Sequence, residues 1–156
     1  MSDLQCPATL LVARHGDVAE VRELVDALRE RKVAAVSSSH LPRAVDSAAV
    51  AAAALGVGSR VVAGLEELSG GEGEHEVLER YRGALEEIAD LHRGETVLVF
   101  SHSGVMSLCL PRMGGHVRDD LAARVFLPHC AVAEVSIDAD DVTILSWPGS
   151  AGRSVD

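Results

Sequence analysis

The sequence predicts an α/β protein: a three-layer α/β/α sandwich around a mostly parallel sheet. Three observations carry that expectation. Short apolar runs of strand length alternate with longer segments of helical apolar spacing. Polar, glycine-containing turns separate them. Apolar residues make up 47% of the 156 residues, enough for one sizeable core. The whole chain, 1–156, is expected to form one domain with a frayed tail at 150–156. Aromatics are only 3%, so Ala, Val and Leu must build the core.

The elements follow in order. Thr9 to Ala13, bounded by Pro7 and Gly16, reads as a buried strand. Asp17 to Arg31 carries Val18, Val21, Leu24, Val25 and Leu28 at helical spacing. Val33 to Val36 is a second strand, followed by the polar "SSSH". Leu41 to Leu55 is helical, with Pro42 in its first turn and Gly56 as its stop. Arg60 to Ala63 is a third short strand, and "LSGGEGE" is the clearest loop. Glu74 to His92 is a long helix ended by Arg93 and Gly94, and Thr96 to Phe100 is the strongest strand. Ser103 to Leu110 is a helix expected to break near Pro111 and to close at Gly114 and Gly115. Arg124 to Phe126, Ala131 to Ile137 and Val142 to Trp147 are further strands, the last two joined by the turn "DADD".

Charge and cysteine content narrow the function classes. The formal charge is −10, which argues against nucleic acid or an anionic membrane as a partner. Cys6, Cys109 and Cys130 are odd in number and form no C-x-x-C pair. That pattern suits a reducing cytoplasm better than a disulfide framework or a zinc site. No run approaches the ~18 apolar residues of a membrane span. Oligomeric state is not legible in the sequence.

In an open α/β sheet, ligands bind outside the carboxyl ends of the strands. Four polar clusters fall there: "RHG", "SSSHLPR", "LEELSGG" and "SHSG". They bring Arg14, His15, Arg43, Glu67 and His102 to one edge. Two arginine forks match phosphate or carboxylate oxygens. Ser103 and Gly104 open a helix, whose free N–H groups are expected to face the same anion. An imidazole can carry a phosphoryl group as a covalent intermediate, and a second, protonated, adds positive charge. Such a set serves phosphoryl transfer by positioning and charge, so no cofactor or metal is called for. A carboxylic acid at the mouth must protonate the leaving oxygen, and Glu67 and Glu66 are the candidates, with Glu72 a rival.

The segments "LLVARHG", "SSSHLPRAVDSA", "LEEL" and "VLVFSHSGV" resemble, in that order, the signatures of the histidine phosphatase superfamily, the phosphoglycerate-mutase-like proteins. The resemblance runs from Thr9 to Leu110, with a looser echo at "FLPHCAVAEV". It implies a phosphohistidine intermediate on His15. It implies a phosphate pocket of Arg14, Arg43 and His102, joined by the Ser103 amide and hydroxyl. The family's L-x-E acid falls on Glu67. The large lid insertions have no counterpart, because a helix begins almost at once after "RHG" and only "SGGEGE" follows Leu68. A family Asn after "RHG" is also missing, and the family's "SHGG" is "SHSG" here. The chain thus resembles the minimal small phosphatases more than the mutases. The implied function is a metal-independent phosphatase acting on a phosphorylated small molecule or phosphoprotein. The alternatives are a non-catalytic phospho-ligand module on the same fold, or a phosphomutase.

Plainer readings cover the remaining polar residues. Asp17 caps the first helix. Asp46 is the i+3 neighbour expected to compensate Arg43, and Glu76 an i, i+4 partner for Arg80. "AAVAAAALG" is a core helix stripe. His40, His75, His92 and His116 are surface residues, and His129, near a strand start, carries no assigned role. "SGGEGE" lacks the Lys and Ser/Thr of a nucleotide-binding loop.

Overall fold

A computed structural model describes residues 6–114 and 127–148. The expected strand at 124–126, Gly115, His116 and the tail at 150–156 lie outside the described residues. Strands β1 (Ala8–Arg14), β2 (Val33–Ser38), β3 (Ser59–Val61) and β4 (Thr96–Ser101) alternate with helices α1 (Val18–Leu28), α2 (Pro42–Leu55), α3 (Glu74–Leu91) and α4 (Ser103–Gly114). A hairpin, β5 (Val132–Asp138) and β6 (Asp141–Ser146), completes one six-stranded sheet. Its order is β3-β2-β4-β1-β5-β6. β3, β2, β4 and β1 run parallel, and β5 and β6 are antiparallel additions at one edge.

Side chains alternate across the two faces of the sheet, as the period of a strand requires. Leu10, Val12, Val97 and Val99 pack with α3 and α4. Leu11, Ala13, Leu98 and Phe100 pack with α1 and α2. Strands with both faces buried read as continuous apolar runs, which is why β1 and β4 were legible.

Local chemistry sets the helix ends. Asp17 accepts from the Glu20 amide at 2.8 Å, and Glu20 returns a bond to the Asp17 amide at 2.9 Å, forming a capping box. α1 stops at Leu28 rather than Arg31, because residues 29–31 tighten into a 3-10 turn before Lys32 adopts a positive φ. Gly56 ends α2 with φ +71° and donates to the Ala52 carbonyl.

Two expectations fail. α4 does not break at Pro111 but runs on to Gly114. The ring costs the amide that would serve the Ser107 carbonyl, yet Pro111 is buried, and Arg112 Nη1 donates to the next carbonyl, Leu108, at 2.8 Å. The alanine stripe of α2 is only half core. Ala48, Ala51 and Ala52 are buried, whereas Ala49, Ala53 and Ala54 face outward.

Candidate active site

β1 and β4 are hydrogen-bonded neighbours, with Arg14 paired to Ser101. The next residue on each strand is a histidine. The His15 amide donates to the Ser101 carbonyl at 3.2 Å, carrying the pairing one step past the strand ends. Register therefore delivers both imidazoles to the same spot: their ring centroids lie 5.2 Å apart, nearly edge to face. Both are buried, at 7% and 5% exposure. The end of β2 joins them, since the Ser39 amide donates to the Phe100 carbonyl at 3.2 Å.

Burial, followed by the fields of His102, Arg14, His129 and Arg43, lowers the His15 pKa to about 4. Its imidazole is therefore neutral at pH 7, the state in which a ring nitrogen carries a reactive lone pair. Burial also lowers the pKa of His102, with Glu67 opposing. His102 Nε2 lies 2.7 Å from Ser39 Oγ, which accepts the Leu41 amide at 3.2 Å. The Ser39 hydroxyl thus ties this ring nitrogen of His102 to the end of β2. Burial thus favours the neutral form of the second imidazole, where the sequence suggested a protonated ring.

Arg14 Nη1 donates to the Leu127 carbonyl at 2.7 Å, and the Leu127 amide donates to Ser103 Oγ at 3.1 Å. The Ser103 hydroxyl, expected in the phosphate pocket, thus also anchors Leu127, and its own proton is not used by that bond. Arg43, in the first turn of α2, is exposed and shares a cavity of about 410 Å³ with His15. Asp46 lines the same cavity but forms no ion pair with Arg43 among the described residues. His129, left without a role by sequence reasoning, also lines it, with its ring 5.7 Å from that of His15. Its Nδ1 bonds Glu20 Oε1 at 2.9 Å, and the neighbouring Cys130 and Ala131 exchange backbone bonds with Arg14.

The carboxylates sort by their partners. Glu72 is bound through both oxygens by Arg80, at 2.7 and 2.9 Å, which drives its pKa down to about 2. It is in no position to hold a proton near neutrality, so it drops out as the acid. Glu66 accepts from the Gly64 amide at 2.9 Å. Glu67 reaches the opening of α4: Oε2 takes the Gly104 amide at 3.0 Å and Oε1 the Val105 amide at 2.7 Å. The Gly104 amide, expected to be free for a bound anion, is therefore already used. Glu67 is itself the anion at that helix N-terminus.

A scaffold of unpredicted residues holds these groups. Arg80 does not pair with Glu76, which instead accepts from the Gly73 amide at 2.9 Å. Its guanidinium reaches the Gly64 and Glu66 carbonyls at 2.8 and 2.9 Å and the Glu67 carbonyl at 3.2 Å, tying down the whole acidic loop. Gly64, at φ +106°, lets that loop approach α3: a Cβ there would lie 2.5 Å from the Arg80 carbonyl. Buried Tyr81 donates to Ser101 Oγ, which donates to the Leu65 carbonyl, both at 3.0 Å. Ser47 Oγ accepts from the Gly16 amide at 3.0 Å and donates to the Gly16 carbonyl at 2.9 Å, fixing the turn behind His15. The one signal for Ser39 was its place in "SSSH". Ser47 had only its place within "SSSHLPRAVDSA", and the closer Glu76 masked Arg80.

Fold and site together define an α/β protein with a paired-imidazole, arginine-flanked site at the carboxyl ends of its parallel strands. The sequence profile of the histidine phosphatase superfamily (branch 1) matches residues 14–75 and 67–149, and the chain belongs to that family. A search of curated proteins found no significant match. Among solved structures, the chain is similar to YhfR of Bacillus stearothermophilus, with 18% identity and TM-score 0.72, covering 88% of this chain and 95% of that one. It is also similar to a mycobacterial glucosyl-3-phosphoglycerate phosphatase solved with VO3 (14% identity, TM-score 0.71, 92% and 99% covered). A third is the phosphoserine phosphatase of Entamoeba histolytica in complex with 3-phosphoglyceric acid (11% identity, TM-score 0.73, 91% and 97% covered). At these identities the likeness is one of fold. Among the described residues, no helix is long and apolar enough to cross a membrane.

Proposed function

We propose that the protein is a phosphatase that hydrolyses a phosphomonoester or phosphoramidate through a phosphohistidine on His15. The observation that carries this reading is the buried His15 imidazole, its ring 5.2 Å from that of His102, with Arg14 beside it in the chain and Arg43 lining the same cavity. The lone pair of His15 attacks phosphorus as the bond to the leaving group breaks. Arg14, Arg43, His102 and the Ser103 amide hold the phosphoryl oxygens, whose negative charge their donors offset. Glu67 gives its proton to the leaving atom. Water then attacks the phosphohistidine, Glu67 takes back a proton, the N–P bond breaks and phosphate leaves. To protonate the leaving group, Glu67 must be protonated in the complex and turn a carboxyl oxygen away from the α4 amides.

The test uses a labelled phosphodonor, a rapid quench and a search for an acid-labile, base-stable adduct. Wild type is expected to form it and to release phosphate. His15→Ala is expected to do neither. Turnover by His15→Ala would overturn the mechanism. Reversible phosphate binding with no adduct would establish a binding module instead. Transfer within a substrate, without release to water, would establish a mutase.

A further inference from the structure

The cavity holding His15 is far larger than a phosphoryl group, at about 410 Å³, a volume typical of small-molecule clefts. Its wall beyond the histidine is aliphatic, formed by Val18 and Val21 of α1 and Val50 of α2. Val18 is 49% exposed there, an unusual position for a bare valine beside a polar site. The strip continues: a second cavity shares Val50 and runs over Ala49, Ala53 and Ala54, with Arg22 of α1 on its other side. Beyond Asp46, α2 carries no charged residue through Leu55, although several of these positions face solvent. A solvent-facing helix normally bears charge on that side.

Charge at the cavity is equally one-sided. Arg43 is committed to the phosphoryl group by the reading above. His129 is already paired with Glu20. Among the described residues lining this cavity, the charged groups that remain are the carboxylates of Asp17 and Asp46. A second anionic group held in the His15 cavity would lose water, meet no cation beyond Arg43 and His129 among the described residues lining it, and be repelled by two carboxylates. We propose that the leaving group is an uncharged, apolar alcohol or amine substituent lying in the seam between α1 and α2, and that Asp17 and Asp46 select against leaving groups bearing a carboxylate. This deepens the phosphatase reading and rests on it for the position of the phosphoryl group. A carboxylate-bearing substrate such as 3-phosphoglycerate or phosphoserine is the kind the seam disfavours.

The test measures binding of n-alkylphosphonates, which cannot be hydrolysed, from methyl to octyl by calorimetry. Affinity is expected to rise about three- to fourfold per methylene up to about hexyl, the increment of burying each one. Propylphosphonate is expected to bind at least tenfold more tightly than 2-carboxyethylphosphonate, its anionic counterpart of similar length. Val18→Asp places a carboxylate in the strip at an exposed first-turn position where Asp suits the helix. It is expected to cut the hexyl-over-methyl preference at least tenfold. Asp46→Asn is expected to narrow the gap between the propyl and carboxyethyl ligands. Affinity independent of chain length, or equal affinity for the carboxylate, overturns the inference. The corresponding alkyl phosphates separate the two readings. Chain-dependent binding without hydrolysis removes the phosphatase and keeps the seam. Hydrolysis without chain dependence does the reverse.

Discussion

Acidification from pH 7.5 to 4.5 probes the electrostatic core of the site through folding stability. His15 titrates near 6.5 when unfolded and at about 4 when folded. The unfolded chain therefore binds the proton more readily, and the folded state gains by keeping the ring neutral. That contribution is fully present above pH 6.5 and is lost as pH falls through the window down to about 4. At roughly 1.36 kcal/mol per unit, the shift amounts to about 3 kcal/mol in full, of which about 2–3 kcal/mol is gone by pH 4.5. Other groups titrate in the same range, so the measurement is a difference between proteins. Urea unfolding of wild type and His15→Gln at each pH gives two stability profiles. Wild type is expected to fall more steeply than His15→Gln by about 2–3 kcal/mol between pH 7.5 and 4.5. Two parallel profiles would show that His15 is not held neutral by its surroundings, and the account of its nucleophilicity would go with them. The sign is specific: a ring stabilised as imidazolium would make wild type fall less steeply than the variant.

Three further substitutions test the scaffold. Arg80→Leu removes the guanidinium that joins Glu72 to the carbonyls of Gly64, Glu66 and Glu67. It is expected to cost about 2–4 kcal/mol in urea unfolding and to speed amide exchange at residues 65–68; Arg80→Lys, lacking the planar fork, is expected to recover less than half. Gly104→Ala sets a Cβ 2.7 Å from Glu67 Oε1 and evicts the carboxylate from the start of α4. Alanine favours helix by about 1 kcal/mol, so stability is expected to change little, while phosphate release from an alkyl phosphate falls about tenfold or more. Unchanged release would show that the place of Glu67 does not matter. Ser39→Ala deletes the hydroxyl at His102 Nε2. It is expected to destabilise by about 1–2 kcal/mol in urea unfolding and to shift the His102 ring resonances in NMR, since a buried ring nitrogen loses its partner.

Much of this molecule was readable from local pattern. Buried strands such as β1 and β4 announce themselves as apolar runs, and the capping box at Asp17 and Glu20 and the stop at Gly56 are chemistry between near neighbours. Pro111 shows where local reading ends. A proline predicts a break, but the helix continues with Pro111 buried in the core and Arg112 donating to the Leu108 carbonyl.

The site divides along the same line. The sequence by itself determined the family, the strand ends bearing Arg14, His15 and His102, and the candidacy of Arg43 and Glu67, because these depend on residue type beside an apolar run. Only the tertiary structure decided that Glu67 caps α4, that Arg80 serves the acidic loop and not Glu76, that Ser39 bonds His102, and that His129 joins the cavity. Each of those contacts links segments that sheet order or helix packing brings together: β4 lies between β1 and β2, and α3 lies over the far face. A hydrogen bond or a shifted pKa depends on distances of a few ångströms between such segments, and no one-dimensional spacing encodes them.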